Sequence, residues 1–238
     1  MNMSPSKFTA SVSDLEKCGY TMLSDVVQQS LLDELTEAIE QTRTALSSAT
    51  VPGIRQLLKH CPAVRSVSDL PAIKAPVQAV LGSNVRVVRA ILFDKTPASN
   101  WYVTWHQDLS IPVEQRIDVP DFGPWSTKHG IVHVQPPAAI LECMLSARLH
   151  LDHCLLENGP IKFVPGSHKA GILNPAEIAS WKERHESVPC PARRGDLILM
   201  RPLILHSSSK SDSPQQRRVL HLEYANADLP GGLQWAEG

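Results

Sequence analysis

His106 and Asp108 stand two positions apart in residues 101–108, a run whose Trp, Tyr, Val and Thr content favours a β-strand. Residues i and i+2 of a strand share a face, so this run presents an imidazole and a carboxylate side by side. Those are two of the three ligands of the 2-His-1-carboxylate triad that holds non-haem Fe(II). His206, at the end of the apolar run Leu203-Ile204-Leu205, is the candidate for the third. Three ligands on one face leave the other coordination positions open for a bidentate cosubstrate and O2. A second H-x-D, His150-Leu151-Asp152, follows another β-like run, and on spacing alone either pair serves. The first pair ends at a long polar segment, as a site at a barrel mouth would. In the second, Arg148, His150 and Asp152 can pair with one another on an exposed or interlayer face.

A small anion in a mostly apolar pocket is best held by a guanidinium, whose planar fork matches a carboxylate. Arg217 lies beyond His206 across the polar turn at residues 211–216. Adjacent strands joined by that turn would place it beside the metal, with Arg218 on the opposite face. Ser208, two after His206, adds a hydroxyl to the same carboxylate. Thr104, one alternation before His106, is a further pocket candidate, as are Trp125, Gln135 and Arg148. His60, His129, His133, His153, His168, His185 and His221 have no ligand-like spacing and are read as structural.

Twenty-three Lys plus Arg against 24 Asp plus Glu, a formal charge of -1, give no global reason to expect nucleic acid or an anionic membrane as partner. A small molecule is the expected partner. No apolar run reaches the roughly 18 residues of a membrane span, and the polar opening lacks the apolar segment of a signal peptide, so a cytoplasmic location is expected. The five cysteines contain no CxxC pair and read as buried reduced thiols rather than disulfides or a zinc site.

The elements that must position these groups form one domain over residues 1–238, with a helical part at about 13–82 and a β core at about 84–228. A short helical turn, a break at Gly19 and a brief strand precede a helix capped by Ser24 or Asp25 and running to about Ser47. Prolines at 52, 62, 71 and 76 cut the next stretch into short helices, the clearest at 70–81 and closed by Gly82. Residues 85–93 read as the first long strand, pairing with 101–108 across a turn at 96–100. Residues 110–129 read as a long loop and a candidate lid. Strands follow at 130–135, 147–151, 161–164, 189–192, 196–200, 203–206 and 217–227, with helices at 138–144 and 175–186. Helices first and many short strands afterwards suggest a mainly β sandwich or jelly roll backed by helices.

Trp105-His106-Gln107-Asp108, Glu157-Asn158-Gly159-Pro160 through Pro165-Gly166-Ser167-His168, and His206-Ser207-Ser208 followed by Arg217 together resemble the phytanoyl-CoA dioxygenase family of Fe(II)/2-oxoglutarate oxygenases, from about residue 15 to 229. The resemblance implies a double-stranded β-helix core, with His106, Asp108 and His206 as iron ligands. It also implies that Arg217, assisted by Ser208, binds the far carboxylate of 2-oxoglutarate. It decides against His150 and Asp152, which fall on a later strand. Family members that halogenate have a small residue in place of the carboxylate ligand. Asp108 therefore favours hydroxylation, with CO2 and succinate as coproducts. Two alternatives remain: a silent module that binds metal or 2-oxoglutarate, and a cupin-like metalloenzyme that does not use 2-oxoglutarate. No basic cluster suited to the phosphates of coenzyme A is evident, so a small polar metabolite or natural-product intermediate is the expected substrate.

Overall fold

The computed structural model describes residues 5–46 and 53–238, with the side chains of the first helix described from residue 12 onward. Ser47 and Pro52, named above, lie outside the described residues. Helix α1 (Pro5–Cys18) ends at Gly19 and is followed by β1 (Tyr20–Leu23) and helix α2 (Gln29–Ala45). Ser24 and Asp25 do not cap α2, whose first turn begins at Gln29. Asp25 has a left-handed backbone and its N–H donates to Asp196 Oδ1, which anchors the turn before the helix. Next come β2 (Gly53–Ile54), the short helices α3 (Leu57–His60) and α4 (Pro62–Ser68), and α5 (Pro71–Leu81), which stops at Gly82 as expected.

The β part comprises β3 (Arg86–Lys95), β4 (Val103–His106), β5 (Ile111–Val113), β6 (Trp125–Lys128), β7 (Ile131–Val134), helix α6 (Ala138–Glu142), β8 (Met144–His150) and β9 (Ile161–Phe163). Helix α7 (Pro175–Arg184), β10 (Val188–Cys190), β11 (Leu197–Met200), β12 (His206–Ser208) and β13 (Arg217–Ala225) complete it. A six-stranded antiparallel sheet runs in the order β1-β11-β8-β13-β3-β2, and a four-stranded sheet in the order β10-β9-β12-β4. These are the two sheets of a jelly roll. A third sheet, β5-β7-β6, lies beside them.

Alternation along the three central strands of the large sheet decides which side chains reach the interior. Ala90 and Leu92 of β3, Leu145, Ala147 and Leu149 of β8, and Leu220, Leu222 and Tyr224 of β13 are buried on the outer face. There they pack against Leu32, Leu35 and Ile39 of α2, Leu57 of α3, Val64 of α4, and Ile73 and Val77 of α5. The residues between them, Arg89, Ile91, Phe93 and Lys95, then Arg148 and His150, then Arg217, Val219, His221 and Glu223, line a cavity of about 550 Å³ on the inner face. β4 and β12 supply its opposite wall.

Four sequence expectations change here. β3 does not pair with β4: it pairs with β13 and β2, while β4 pairs with β12. The turn at 96–100 therefore carries the chain from one sheet to the other rather than closing a hairpin. Residues 110–129 are not a structureless loop, because β5 and β6 flank β7 in a sheet of their own. Residues 203–205 form a turn and the strand begins at His206. The cysteines are free, but Cys143 is exposed and Cys18 half-buried. No helix among the described residues is long and apolar enough to cross a membrane.

Candidate active site

His106 ends β4, His206 opens β12, and the two residues pair across the antiparallel ladder. Asp108 lies two residues past the strand end, held by its own N–H donating to Pro202 O at 2.9 Å. The carboxylate therefore sits between the imidazoles: His106 Nε2 is 3.6 Å from Asp108 Oδ1 and His206 Nε2 is 3.7 Å from Oδ2. Those separations are too long for good hydrogen bonds. One donor atom from each residue lies within 4.8 Å of the others, and this is the group with metal-ligand geometry among the described residues.

Both imidazoles are fixed from behind. His106 Nδ1 is 2.8 Å from Thr104 O and His206 Nδ1 is 2.9 Å from Ile204 O. A carbonyl only accepts, so each Nδ1 carries a proton and each Nε2 faces Asp108, which draws His106 up against its burial. Burial pushes His206 down to about 4, which keeps the ring neutral as a ligand must be. Burial also works to raise the Asp108 carboxyl, but the nearby His206 and His106 outweigh it and hold the group well below the usual carboxylate range. A neutral imidazole beside a firmly ionised carboxylate suits a divalent cation.

Arg217 reaches the cavity by a different route from the one its spacing suggests. β12 and β13 belong to different sheets, so Arg217 projects from the floor rather than from a neighbouring strand. Its Nη1 donates to the carbonyls of Asn158 and Gly159, the former at 3.2 Å. Gly159 has φ of +60°, and a Cβ there would meet the carbonyl oxygens of Ser209 and Lys210 at 2.5 Å. Only glycine lets this turn close over the guanidinium. Arg218 points outward, where it makes a two-pronged ion pair with Asp152. That pair takes Asp152 away from His150, so the second H-x-D forms no ligand set.

Arg217 has Lys95 as its partner across β13 and β3. Lys95 Nζ donates to Ser208 Oγ at 3.2 Å and Ser209 O at 2.8 Å and lies 5.2 Å over the Trp101 ring. Burial and the Arg217 charge push it down to about 7. Arg148 donates to His221 Nδ1 at 3.2 Å, and His221 Nε2 in turn donates to Glu223 Oε1 at 3.2 Å. Thr104 is exposed at the rim, and its carbonyl, rather than its hydroxyl, touches the site. Trp125 and Gln135 do not line the cavity.

Sequence reasoning missed Lys95, weighed His150 only as a rival ligand and read His221 as structural. His221 lies four residues from Arg217 on one strand and shares its face, a signal the sequence carried, whereas Lys95 and His150 reach that face only through strand pairing.

The lining is cationic and partly unpartnered. Arg148 Nε, Arg217 Nε and both ring nitrogens of His150 are buried with no hydrogen-bond partner among the described residues. Leaving such groups unpaired costs about 1–3 kcal/mol each. An anionic molecule with several acceptor oxygens fits this lining.

A model of the family described as "Phytanoyl-CoA dioxygenase (PhyH)" matches residues 15–219. The chain belongs to the phytanoyl-CoA dioxygenase family. Phytanoyl-CoA dioxygenase domain-containing protein 1 of Rattus norvegicus is 25% identical over 197 residues, covering 75% of this chain and 57% of the relative. The chain spans about half the length of the curated relatives it matches. Among solved structures, the non-haem α-ketoglutarate-dependent carbocyclase SnoK from nogalamycin biosynthesis superposes with a TM-score of 0.72 at 18% identity, covering 100% of this chain and 88% of that one. EctD from S. alaskensis, solved with 2-oxoglutarate and 5-hydroxyectoine, gives 0.71 at 16% identity, covering 94% and 76%. At such identities the likeness concerns the jelly-roll fold.

Proposed function

We propose that this phytanoyl-CoA dioxygenase family member is an Fe(II)- and 2-oxoglutarate-dependent oxygenase that hydroxylates a small organic substrate. The observation that carries the reading is the His106–Asp108–His206 cluster facing a cation-lined cavity in a fold shared with 2-oxoglutarate-dependent enzymes. His106 and His206 Nε2 and the Asp108 carboxylate would hold the metal. When bound, Fe(II) and 2-oxoglutarate supply O2-dependent C–H oxidation, with succinate and CO2 as coproducts. Arg217 and Lys95 are placed to take the far carboxylate of 2-oxoglutarate, and Ser208 orients the Lys95 ammonium. The phenyl ring of Phe93 and the side chains of Ile91 and Val219 give the cavity apolar surface beside Arg148 and His150, which helps to keep water from the reacting region. Retention of the Asp108 carboxylate favours hydroxyl return over transfer of a halide, for which no coordination position is vacated.

The test is an anaerobic titration of the metal-free protein with Fe(II) and 2-oxoglutarate, following the visible charge-transfer band of the chelate. Wild type is expected to develop the band, and Arg217→Ala to need at least about tenfold more 2-oxoglutarate, consistent with loss of a charge-assisted bidentate contact. Bound iron without a band would overturn the cosubstrate assignment.

A further inference from the structure

The rungs of the cavity floor end in charged residues, with Phe93, Ile91 and Val219 between them beside Arg148, His150 and His221. β3 and β13 pair Lys95 with Arg217, Phe93 with Val219, Ile91 with His221 and Arg89 with Glu223. With a rise of about 3.4 Å per residue, the Lys95–Arg217 rung and the Arg89–Glu223 rung are roughly 20 Å apart. The first end is the one assigned above to 2-oxoglutarate. The second end is built differently.

Arg55, from the turn after β2, and Lys128, from the end of β6, line the cavity together with Arg89. Arg89 Nη1 meets Glu223 Oε1 at 3.0 Å, and its Nη2 lies 3.4 Å from His133 Nε2. Among the described residues the Lys128 ammonium donates only to Ser110 Oγ, at 3.1 Å. Arg55, half-buried, makes no hydrogen bond or ion pair among the described residues. Glu223 is shared between Arg89 and His221, so it offsets one of three cations and the corner keeps a positive excess. Burial and the repulsion of Arg89 depress the Arg55 guanidinium against the pull of Glu223 and Glu237, and burial followed by Arg89 and Arg55 depresses Lys128 against the pull of Asp108 and Glu223. Glu237, the other carboxyl near Arg55, is pushed up to about 7 by burial and so is a weak counter-ion.

Holding like charges together around a cavity is unfavourable unless something negative enters between them. Guanidinium and ammonium groups from three separate segments converge here, as oxyanion recognition requires. We propose that the Arg55–Arg89–Lys128 corner binds an oxyanion, carboxylate or phosphate, carried by the substrate, and so fixes one end of that molecule at the far end of the cavity floor from Lys95 and Arg217. The proposal rests on the oxygenase reading and narrows its substrate to small anionic molecules. The three residues are remote in sequence and meet only in the fold, so the sequence shows no evident basic cluster of this kind.

Matched probes test this: hexanoate, hexyl phosphate and hexanamide, titrated calorimetrically into protein with Mn(II) and 2-oxoglutarate and into metal-free protein. At least one anionic probe is expected to bind about tenfold or more tighter than hexanamide, and whichever anion binds better names the substrate's group. Arg55→Gln and Lys128→Gln, at partly exposed positions that leave the core intact, should each weaken that anion about tenfold without weakening hexanamide. Arg86→Gln, at an exposed ion pair outside the cavity, should change neither. Equal binding of all three probes, no binding of any, or unchanged anion binding in both corner variants would overturn the proposal. Anion-selective binding that depends on Arg55 in protein that never forms the Fe(II)–2-oxoglutarate band would leave the corner standing and remove the oxygenase reading.

Discussion

Lys95 is a lysine buried beside an arginine, and its protonation is open to control by what binds. Arg217, Arg148 and Cys154 are the titratable groups that act on it, and Ser208 and Trp101 complete its surroundings. With its ammonium pushed down to about 7, it is charged below that pH and increasingly neutral above it. A carboxylate binds the charged form better, so binding takes up a proton wherever Lys95 starts neutral. Affinity for 2-oxoglutarate should therefore be highest below about pH 7 and fall above it, by at most about tenfold per pH unit. Lys95→Gln should bind more weakly at low pH and lose the slope, which the charge-transfer titration between about pH 6 and 9 would read directly. Asp108 governs the metal. Asp108→Ala is expected to keep the fold, by circular dichroism, while losing Fe(II) binding and turnover. Retained hydroxylation would sink the ligand assignment. Both residues differ in how legible they were. Asp108 declared itself by local spacing from His106, whereas Lys95 acquires its role only from a partner in β13, far along the chain.

Gln107 shows how an element is held so that its neighbours can act. It points away from His106 and Asp108 and is 5% exposed. Its Nε2 donates to Gly171 O at 2.8 Å and Leu203 O at 2.7 Å, and its Oε1 accepts from Leu173 N at 2.8 Å. One amide thus ties the end of β4 to the segment before α7 and to the turn that delivers His206. Gln107→Ala would leave the buried Leu203 carbonyl and Leu173 N–H, and the partly buried Gly171 carbonyl, without their partner, at about 1–3 kcal/mol for each group that water cannot reach. A loss of about 3 kcal/mol in urea unfolding is expected, together with weaker metal affinity, because both ligand-bearing segments loosen. A drop in stability with metal affinity unchanged would show that Gln107 is a packing residue only. The individual elements were readable from period and punctuation: α5 between Pro71 and Gly82, and the alternating runs of β8 and β13. Pairing was not readable, because a jelly roll sends consecutive strands to different sheets. β3 and β4 looked like a hairpin, and Arg217 looked like a neighbour of His206, since nothing local distinguishes a turn from a crossover.

At the scale of the molecule, the C-terminal segment closes the site's surroundings into one piece. Glu114 N donates to Gln234 O at 3.0 Å and Ala236 N to Pro112 O at 3.2 Å, which joins this segment to β5. Leu233 and Trp235 pack with Ile111 and Val113. Glu237 then turns under the large sheet, where it is 4% exposed and accepts from Leu58 N at 3.3 Å and from the Ala90 amide. Residues 110–129, expected as a free lid, are instead a small sheet stapled to the body through this segment. Composition could not show that, because the staples are backbone bonds between residues more than a hundred positions apart. The staple should be sensitive to pH. Burial raises the Glu237 carboxyl to about 7, against about 4.3 in an unfolded chain, so the native state prefers it protonated. The stabilisation from this preference is complete below about pH 4.3 and is lost as pH rises through about 7, leaving a buried carboxylate at alkaline pH. Glu237→Gln keeps an acceptor oxygen and cannot ionise. Its unfolding free energy should exceed that of wild type by about 3 kcal/mol at pH 8–9 and converge with it near pH 4. An equal advantage at both pH values would assign the gain to packing. A disadvantage at pH 8–9 would mean that Glu237 is held ionised by Arg55 and Arg89, and the basic corner would then carry a counter-ion of its own.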